Sequence, residues 1–255
     1  MRVLLLAAVA ASVVTTPALA VTNLLTNGSF EAAGATGPNA FTGWNKLNTP
    51  DNQPSVDQPA SVIRYGTGAP YPAGAYGEAV SADNAVSGSP DAVGNYGAYF
   101  VGDLSDNETI YQDVFLNPGN YRVGFSYYLT ANGLANPNNS SLSVTILGIP
   151  VANTMITSSS LGKNWLYASG VGQIQYAGTY RTALVFNSNG MPAKDVVVDR
   201  VFGISTLDAA DVIIPPAPDA IIPAAIPEPS TWAMLLAGFG LVGFGMRRRS
   251  SAAAA

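Results

Sequence analysis

The sequence predicts an all-β protein, built as a two-sheet β-sandwich with a targeting segment at each end. The main signal is a period of two, in which apolar and polar residues alternate along short stretches. Asn, Pro and Gly residues that favour turns separate these stretches, and no part of residues 21–226 keeps a sustained helical period. Many short strands at this spacing are typical of a sandwich.

The clearest strand lies at residues 121–129. Alternate positions of a strand point to one face of the sheet, so this face is predicted to carry Tyr121, Val123, Phe125 and Tyr127. The same alternation is found at Leu142, Val144 and Ile146, and again at Thr182, Leu184 and Phe186. Turn signals between the strands lie at residues 117–120, 136–139, 176–178 and 187–190.

Composition excludes several classes of site. The 255-residue chain contains no Cys and no His, which excludes Ser-His-Asp and Cys-His catalysis, imidazole or thiolate zinc sites, and disulfides. A bound metal would be a hard cation held by oxygen, and calcium is the first candidate. Residues 21–226 carry 15 acidic and 7 basic side chains, a net charge of −8, so nucleic acid is not expected as a partner.

Residues 1–20 are predicted to be a cleaved signal peptide. Arg2 precedes an apolar run, and Ala18 and Ala20 form an Ala-x-Ala cleavage site. The alternative is a retained N-terminal membrane helix, but the run is too short to span a bilayer well. The folded domain is then expected at residues 21–205.

Three stretches of this domain resemble jelly-roll domains of the galactose-binding-like superfamily, which includes many carbohydrate-binding modules. They are NLLTNGSFEA at residues 23–32 followed by FTGW at 41–44, ETIYQDVFLNPGNYRVGFSYYL at 108–129, and VVVDRVFGIS at 196–205. The resemblance implies a jelly-roll β-sandwich whose last strand is the third stretch. Because domains of this kind bind sugars, cell walls or nothing identified, two roles stay open: a module that binds extracellular polysaccharide, or a structural surface protein whose β-sandwich binds no small ligand.

Sugar binding requires exposed aromatic rings beside a few polar groups. The Gly- and Pro-rich residues 51–93 are predicted to form long loops around a short strand near residues 61–65, and such loops often carry binding residues. The ligand-binding candidates are Tyr65, Tyr71, Tyr76 and Tyr96, in and beside this stretch, and Trp165, near the start of a later strand. The four tyrosines are expected to be exposed, Trp165 could be buried or exposed, and Trp44 is expected in the core.

The jelly-roll resemblance also implies a structural calcium site. In such domains the glutamate of the opening motif and the aspartate of the last strand often meet at one metal, and the matching residues are Glu31 and Asp199. Oxygen ligands with a mixed side-chain and carbonyl shell suit Ca²⁺. The alternative is that Asp199 pairs with a cation such as Arg200 or Arg181, while Glu31 caps a turn.

Paired carboxylates are the one catalytic device that this composition allows, as in glycoside hydrolysis. The candidates cluster in sequence at Asp103, Asp106, Glu108 and Asp113. They lie in or beside a turn and a strand start, where acidic side chains are normally solvated. We therefore expect no enzymatic activity.

Residues 206–226 are predicted to be a linker, because four prolines favour an extended, semi-rigid chain. Two isoleucine pairs, Ile213-Ile214 and Ile221-Ile222, are unusually apolar for a linker. Two explanations stay open: these pairs dock on the domain, or they approach the bilayer surface.

A delivery signal is predicted at the C-terminus. Pro227, Glu228 and Pro229 come first, and the prolines keep the chain extended because they fix φ and disfavour helix before them. An uncharged apolar run then predicts a transmembrane helix at about 231–246. Its roughly 15 residues span about 23 Å, which is short for a membrane-spanning helix.

The basic triplet Arg247, Arg248 and Arg249 follows the helix and is expected to stay cytoplasmic, which places the preceding domain across the membrane. Residues 227–249 resemble the PEP-CTERM sorting signal of Gram-negative bacteria that make extracellular polysaccharide. The resemblance implies recognition by an exosortase-type membrane protease, transient residence in the inner membrane, and final location at the cell surface or outside the cell, as in a biofilm matrix. The alternative is a membrane anchor that is never processed; residues 250–255 form a short tail.

Overall fold

The alternating stretches form β-strands in the computed structural model, which describes residues 21–48, 58–102, 107–134, 139–189 and 195–222. Within these ranges the elements are β1 (Asn45–Asn48), β2 (Ser61–Arg64), β3 (Tyr96–Val101), β4 (Glu108–Leu116), β5 (Gly119–Leu129), a short 3-10 helix (Asn132–Leu134), β6 (Ser140–Ile146), β7 (Ile149–Ile156), β8 (Trp165–Ile174), β9 (Gly178–Asn187), β10 (Asp195–Thr206) and β11 (Val212–Ile214).

The strands form two sheets. One has five strands in the order β1-β4-β9-β6-β7, and the other has six in the order β11-β8-β5-β10-β3-β2. All pairings are antiparallel except that of β11 with β8, which is parallel. The predicted all-β, two-sheet sandwich is confirmed.

The main core lies between the two sheets, on the faces that the alternation predicted. Val123 and Phe125 of β5 face Leu142 and Val144 of β6 and Leu184 of β9 within one cluster of buried side chains. The strand near residues 61–65 is also confirmed, as β2. Trp44 is buried in this core as predicted, and its ring packs on Phe30 with centroids 5.9 Å apart.

A second apolar cluster lies on the other face of the six-stranded sheet. It contains Ile63, Tyr99, Tyr128, Trp165 and Val197, together with loop residues such as Val80. Residues 66–95, named here the covering loop, lie over this face. This part of the six-stranded sheet is therefore buried on both sides, which an alternating pattern does not predict.

The chain continues to pack on the sandwich after residue 205, where the linker was predicted. Strand β11 pairs with β8, and Ile214 and Ala217 are buried while Ile213 is exposed. The residues up to 220 belong to one compact unit, and a second unit comprises residues 221–255, of which only Ile221 and Ile222 are described. We name residues 207–220 the C-terminal strap.

Several predictions concern residues outside the described ranges. They are the signal peptide with Ala18 and Ala20, the carboxylates Asp103 and Asp106, the sorting motif with Pro227, Glu228, Pro229 and Arg247–Arg249, and the helix at about 231–246. Among the described residues, none belongs to a helix of the length and apolar character that a bilayer crossing requires.

Candidate functional site

Two of the predicted ligand-binding residues form a stacked pair on the surface. The rings of Tyr71 and Tyr76 lie nearly parallel, with centroids 5.6 Å apart and an interplanar angle of 17°. Tyr76 is 45% exposed and Tyr71 is half-buried. Tyr76 therefore presents an aromatic ring to solvent, as predicted.

Both tyrosines belong to the covering loop, and contacts with residues outside it hold the pair in place. The Tyr71 hydroxyl donates to the carbonyl of Pro59 at 2.8 Å, and the edge-to-face contact of Tyr76 with buried Tyr99 has a centroid distance of 6.4 Å. Tyr76 adopts a φ of 48°, in the left-handed region that non-glycine residues seldom occupy. The surrounding contacts thus fix the ring before any ligand arrives.

Polar side chains lie beside the stacked pair. Asp195 accepts hydrogen bonds from the Tyr99 hydroxyl at 2.5 Å and from the Asn132 amide at 2.6 Å. Glu78, two residues after Tyr76, accepts from the Tyr128 hydroxyl at 2.9 Å. We name Tyr71, Tyr76, Glu78 and Asn132 the tyrosine surface; Asp195, which is 1% exposed, is buried.

The buried phenols under this surface are hard to ionise. Burial, and then the neighbouring carboxylate of Asp195, raise the pKa of Tyr99. Burial, followed by the hydrogen bond to Glu78, raises the pKa of Tyr128 to about 12. Both hydroxyls therefore stay protonated near neutral pH and act as donors to their carboxylates.

The structure corrects the expected exposure of Tyr65. Its side chain is 9% exposed, its hydroxyl donates to Asp199 at 2.8 Å, and its ring meets Trp165 edge-to-face at 5.7 Å. Trp165, for which both environments were open, is 6% exposed and its indole N–H donates to the carbonyl of Ser81 at 2.9 Å. Both residues are covered because the covering loop folds over their face of the sheet.

Tyr96 lies apart from the stacked pair. It is half-buried, and its hydroxyl donates to the carbonyl of Gly34 at 3.0 Å. Its backbone N–H donates to Glu31. Of the five predicted ligand-binding residues, the structure thus pairs Tyr71 with Tyr76 at the surface and Tyr65 with Trp165 in the interior.

The two residues predicted to hold calcium have different partners. Asp199 is fully buried and accepts from the Tyr65 hydroxyl. Burial, and then the charge and hydrogen bond of Asp199, raise the pKa of Tyr65, while Asp83 and Glu31 contribute less. Burial, as the largest cause, raises the pKa of Asp199. Two carboxylates of this kind fit the oxygen chemistry of Ca²⁺. Among the residues that the structure describes, no cluster of three or more Asp or Glu side chains has a metal-binding arrangement.

The alternative partners of Glu31 and Asp199 can also be located. Glu31 Oε1 accepts from the backbone N–H groups of Asn95 and Tyr96, both at 2.7 Å, so this carboxylate binds the chain where β3 begins. The Arg200 guanidinium forms its ion pair with buried Asp83 at 2.5 Å, whereas the Arg200 backbone N–H donates to Asp199 at 2.6 Å.

The described members of the predicted carboxylate cluster point to opposite sides of β4. Glu108 is buried and Asp113 is exposed. Asp113 forms a two-point ion pair with Arg181 on the outer face of the five-stranded sheet, with distances of 2.9 and 3.1 Å. These two carboxylates therefore do not face each other across a cleft.

One family model matches the chain, over its C-terminal part. The model described as "PEP-CTERM protein-sorting motif" matches residues 225–249. The chain ends in a PEP-CTERM sorting motif. This match confirms the resemblance in the tail, and the motif implies an exported protein that is sorted by an exosortase. No curated protein matches the chain.

Solved structures that are similar to this chain include two carbohydrate-binding modules and a cyclase. TmCBM61, in complex with β-1,4-galactotriose, is 16% identical, with 72% of this chain and 99% of that chain covered and a TM-score of 0.44. Family 16 Carbohydrate Binding Module-2 is 18% identical, with coverage of 72% and 100% and a TM-score of 0.39. The apo cyclase from Fischerella sp. is 12% identical, with coverage of 74% and 98% and a TM-score of 0.47.

Sequence reasoning missed the polar groups of the tyrosine surface and the buried carboxylate of Asp195 that binds one of them. Glu78, Asn132 and Asp195 come from three distant parts of the chain and belong to no motif. The one available signal was the position of Glu78, two residues after a tyrosine in a Gly-rich loop. Asp195 and Asn132 approach it only because β10 lies between β3 and β5.

Proposed function

We propose that this is an exported, non-enzymatic protein that an exosortase sorts to the cell surface or beyond, where its sandwich binds extracellular polysaccharide. The sorting motif at residues 225–249 supports the route. The single observation that supports the ligand class is the stacked, exposed tyrosine pair of the tyrosine surface.

The proposed route has two steps. The signal peptide at residues 1–20 directs export, and the apolar run then holds the chain in the inner membrane until an exosortase-type protease acts at Pro227-Glu228-Pro229. The basic triplet orients the run with its C-terminal end in the cytoplasm. The sandwich is thereby delivered to the polysaccharide side of the membrane.

The chemistry of the tyrosine surface suits a sugar. The C–H faces of a pyranose ring stack on an aromatic ring, and nearby carboxylate and amide groups bind its hydroxyls. Tyr76 supplies the ring, and Glu78 and Asn132 supply polar groups. Because Tyr76 is already stacked on Tyr71, little conformational entropy is lost on binding.

We propose binding and not catalysis, because the acidic residues considered for catalysis are not arranged as a catalytic pair. The sequence has no His or Cys, and Asp113 is held by Arg181 as an ion pair. Glu108 lies on the opposite face of the same strand. A glycosidase needs two carboxylates on either side of one sugar bond.

We also propose a structural calcium site at Glu31 and Asp199. Asp199 is buried next to the covering loop and close to the start of the domain, so a cation there would join the first and last parts of the sandwich. Bound calcium would supply positive charge to a carboxylate that is otherwise costly to bury.

Retention on polysaccharide matrices tests the ligand class. The full-length chain, in a detergent without sugar groups, is passed over a panel of polysaccharides alongside Tyr76→Ala and the matched variant Tyr76→Phe. One stacking contact contributes about 0.5–1.5 kcal/mol, so Tyr76→Ala should weaken retention by up to about tenfold. Tyr76→Phe keeps the ring and should bind. No retention of the natural chain on any matrix would refute carbohydrate binding.

A structural surface protein that binds no small ligand is the second candidate. The burial of Tyr65 and Trp165 favours it, because these aromatic rings contribute to packing and not to the surface. The same panel separates the two candidates, since this alternative predicts that Tyr76→Ala changes nothing.

A further inference from the structure

An open cavity of about 460 Å³, mainly apolar in its lining but edged by charged side chains, lies on the outer face of the five-stranded sheet, away from the tyrosine surface. Asp113 of β4 and Thr179 and Arg181 of β9 line one side. The turn between β6 and β7 contributes Leu147 and Gly148, and the C-terminal strap contributes Pro218 and Asp219. Its volume suits one or two sugar rings more closely than a whole polymer segment.

The sheet side of the cavity is rigid. The Arg181 guanidinium binds both oxygens of Asp113, at 2.9 and 3.1 Å, and lies 3.9 Å from the ring centroid of Tyr111. A guanidinium that is held by a carboxylate and stacked on an aromatic ring has few alternative positions. Its outward N–H groups and the carboxylate oxygens therefore form a fixed pattern of donors and acceptors.

The strap side is equally well anchored. Asp219 accepts from the backbone N–H of Thr179, the second residue of β9, at 2.8 Å. Ala217 is 4% exposed, and Ile214 of β11 is fully buried, so the segment that leads to Asp219 is packed on the sandwich. The cavity exists because a stretch predicted as linker returns to the sheet.

We propose that this cavity is a second carbohydrate site, which takes a neutral saccharide between β9 and the C-terminal strap. The ligand class rests on the proposed function, but the site is independent of the tyrosine surface. Each sugar hydroxyl both donates and accepts, and an adjacent carboxylate and guanidinium satisfy both roles at once. Leu147 and Pro218 offer apolar contacts to the C–H groups of the ring.

The charges of the cavity select against acidic sugars. Two carboxylates, Asp113 and Asp219, accompany one guanidinium, Arg181. An anionic uronic acid would therefore meet net negative charge, whereas a neutral sugar would not.

Calorimetric titration of the full-length chain, in a detergent without sugar groups, tests the proposal with cellotriose, galactotriose and trigalacturonic acid as probes. At least one neutral trisaccharide should bind, and trigalacturonic acid should bind at least tenfold more weakly. Arg181→Lys keeps the charge but loses the two-point geometry, and Asp219→Asn keeps an acceptor but loses the charge. Each should weaken binding of the neutral probe at this site by about tenfold, while Tyr76→Ala should leave it unchanged.

The outcomes separate the two sites. If Tyr76→Ala removes all binding while Arg181→Lys and Asp219→Asn bind normally, the second site is refuted and the tyrosine surface stands. If Arg181→Lys and Asp219→Asn remove all binding and Tyr76→Ala has no effect, the second site stands and the tyrosine surface fails. Tighter binding of trigalacturonic acid than of either neutral probe would overturn the proposed ligand class. Thermal melts of the variants show whether Arg181→Lys or Asp219→Asn has lost its fold, in which case the other variant decides.

Discussion

Tyr128 shows how a single buried side chain links stability to the tyrosine surface. Its hydroxyl donates to Glu78 beside the exposed pair, and its ring packs on Trp165 with centroids 5.5 Å apart. Burial and this bond raise its pKa to about 12. Because Glu78 also accepts from the backbone N–H of Ala131 at 2.7 Å, the phenol helps to anchor the covering loop to the end of β5.

The raised pKa of Tyr128 predicts a loss of stability in alkali. An unfolded chain ionises its tyrosines near pH 10, whereas Tyr128 in the folded chain stays protonated up to about pH 12. Its contribution is therefore complete below about pH 10 and is lost as pH rises from about 10 to 12. Melting temperatures across this range should fall less steeply for Tyr128→Phe than for the natural chain. Equal slopes would contradict this assignment.

Asp199 is the second single residue whose role can be tested, as a ligand of the proposed calcium ion. If Glu31 and Asp199 bind Ca²⁺, adding calcium to EDTA-treated protein should raise the melting temperature, since a ligand at 100 times its Kd stabilises by about 2.7 kcal/mol. Asp199→Asn should abolish the increase. Asp113→Asn, which removes an exposed carboxylate elsewhere, should retain it. A natural chain that shows neither heat of binding nor a shift in melting temperature would refute the site.

At the scale of elements, the sequence was enough to predict which side chains of strand β5 lie in the core, but only some of those in the neighbouring strands. Alternation in β5 placed Val123 and Phe125 in the core, because one face of the strand meets the other sheet. The same reasoning could not place Tyr65 or Trp165. A period of two shows which residues share a face, but not whether a loop 66–95 covers that face.

The packing of the C-terminal strap on the sandwich could not be predicted from the sequence, for a different reason. Strand β11 has three residues, too few to display a period, and Pro215 and Pro216 follow it. Its pairing with β8 depends on partners about 40 residues away. The bulge of β10, where the pairing register shifts between Asp199 and Phe202, also arises from tertiary contacts, since Arg200 there reaches Asp83 in the covering loop.

Neighbouring isoleucines test whether the strap is part of the domain. Ile214 is fully buried and Ile213 is 59% exposed. Ile214→Ala should destabilise the protein by about 2–5 kcal/mol, whereas Ile213→Ala should stay within about 0.5 kcal/mol of the natural chain. Urea denaturation at constant pH measures both. Equal, small effects would mean that residues 207–220 behave as the linker first predicted.

On the scale of the whole molecule, the C-terminal tail determines where the protein is sent, and the sandwich determines what it binds. The sorting motif gives the destination, and its residue order was sufficient to identify it from the sequence. The ligand that the sandwich binds depends on which distant side chains come together. Tyr76 contacts Tyr99 of β3, and the Tyr99 hydroxyl donates to Asp195 because β10 pairs with β3. No pattern along the chain encodes that meeting, so the candidate site emerged only from the three-dimensional structure.

Mass spectrometry of the protein recovered from the cell envelope and from the medium locates the mature termini and so tests whether the chain is processed at the sorting motif. We expect an N-terminus at Val21 and a C-terminus that precedes the apolar run, so that peptides containing Arg247, Arg248 and Arg249 are missing from the exported protein. Recovery of the intact basic triplet in all of the exported protein would contradict processing at the sorting motif.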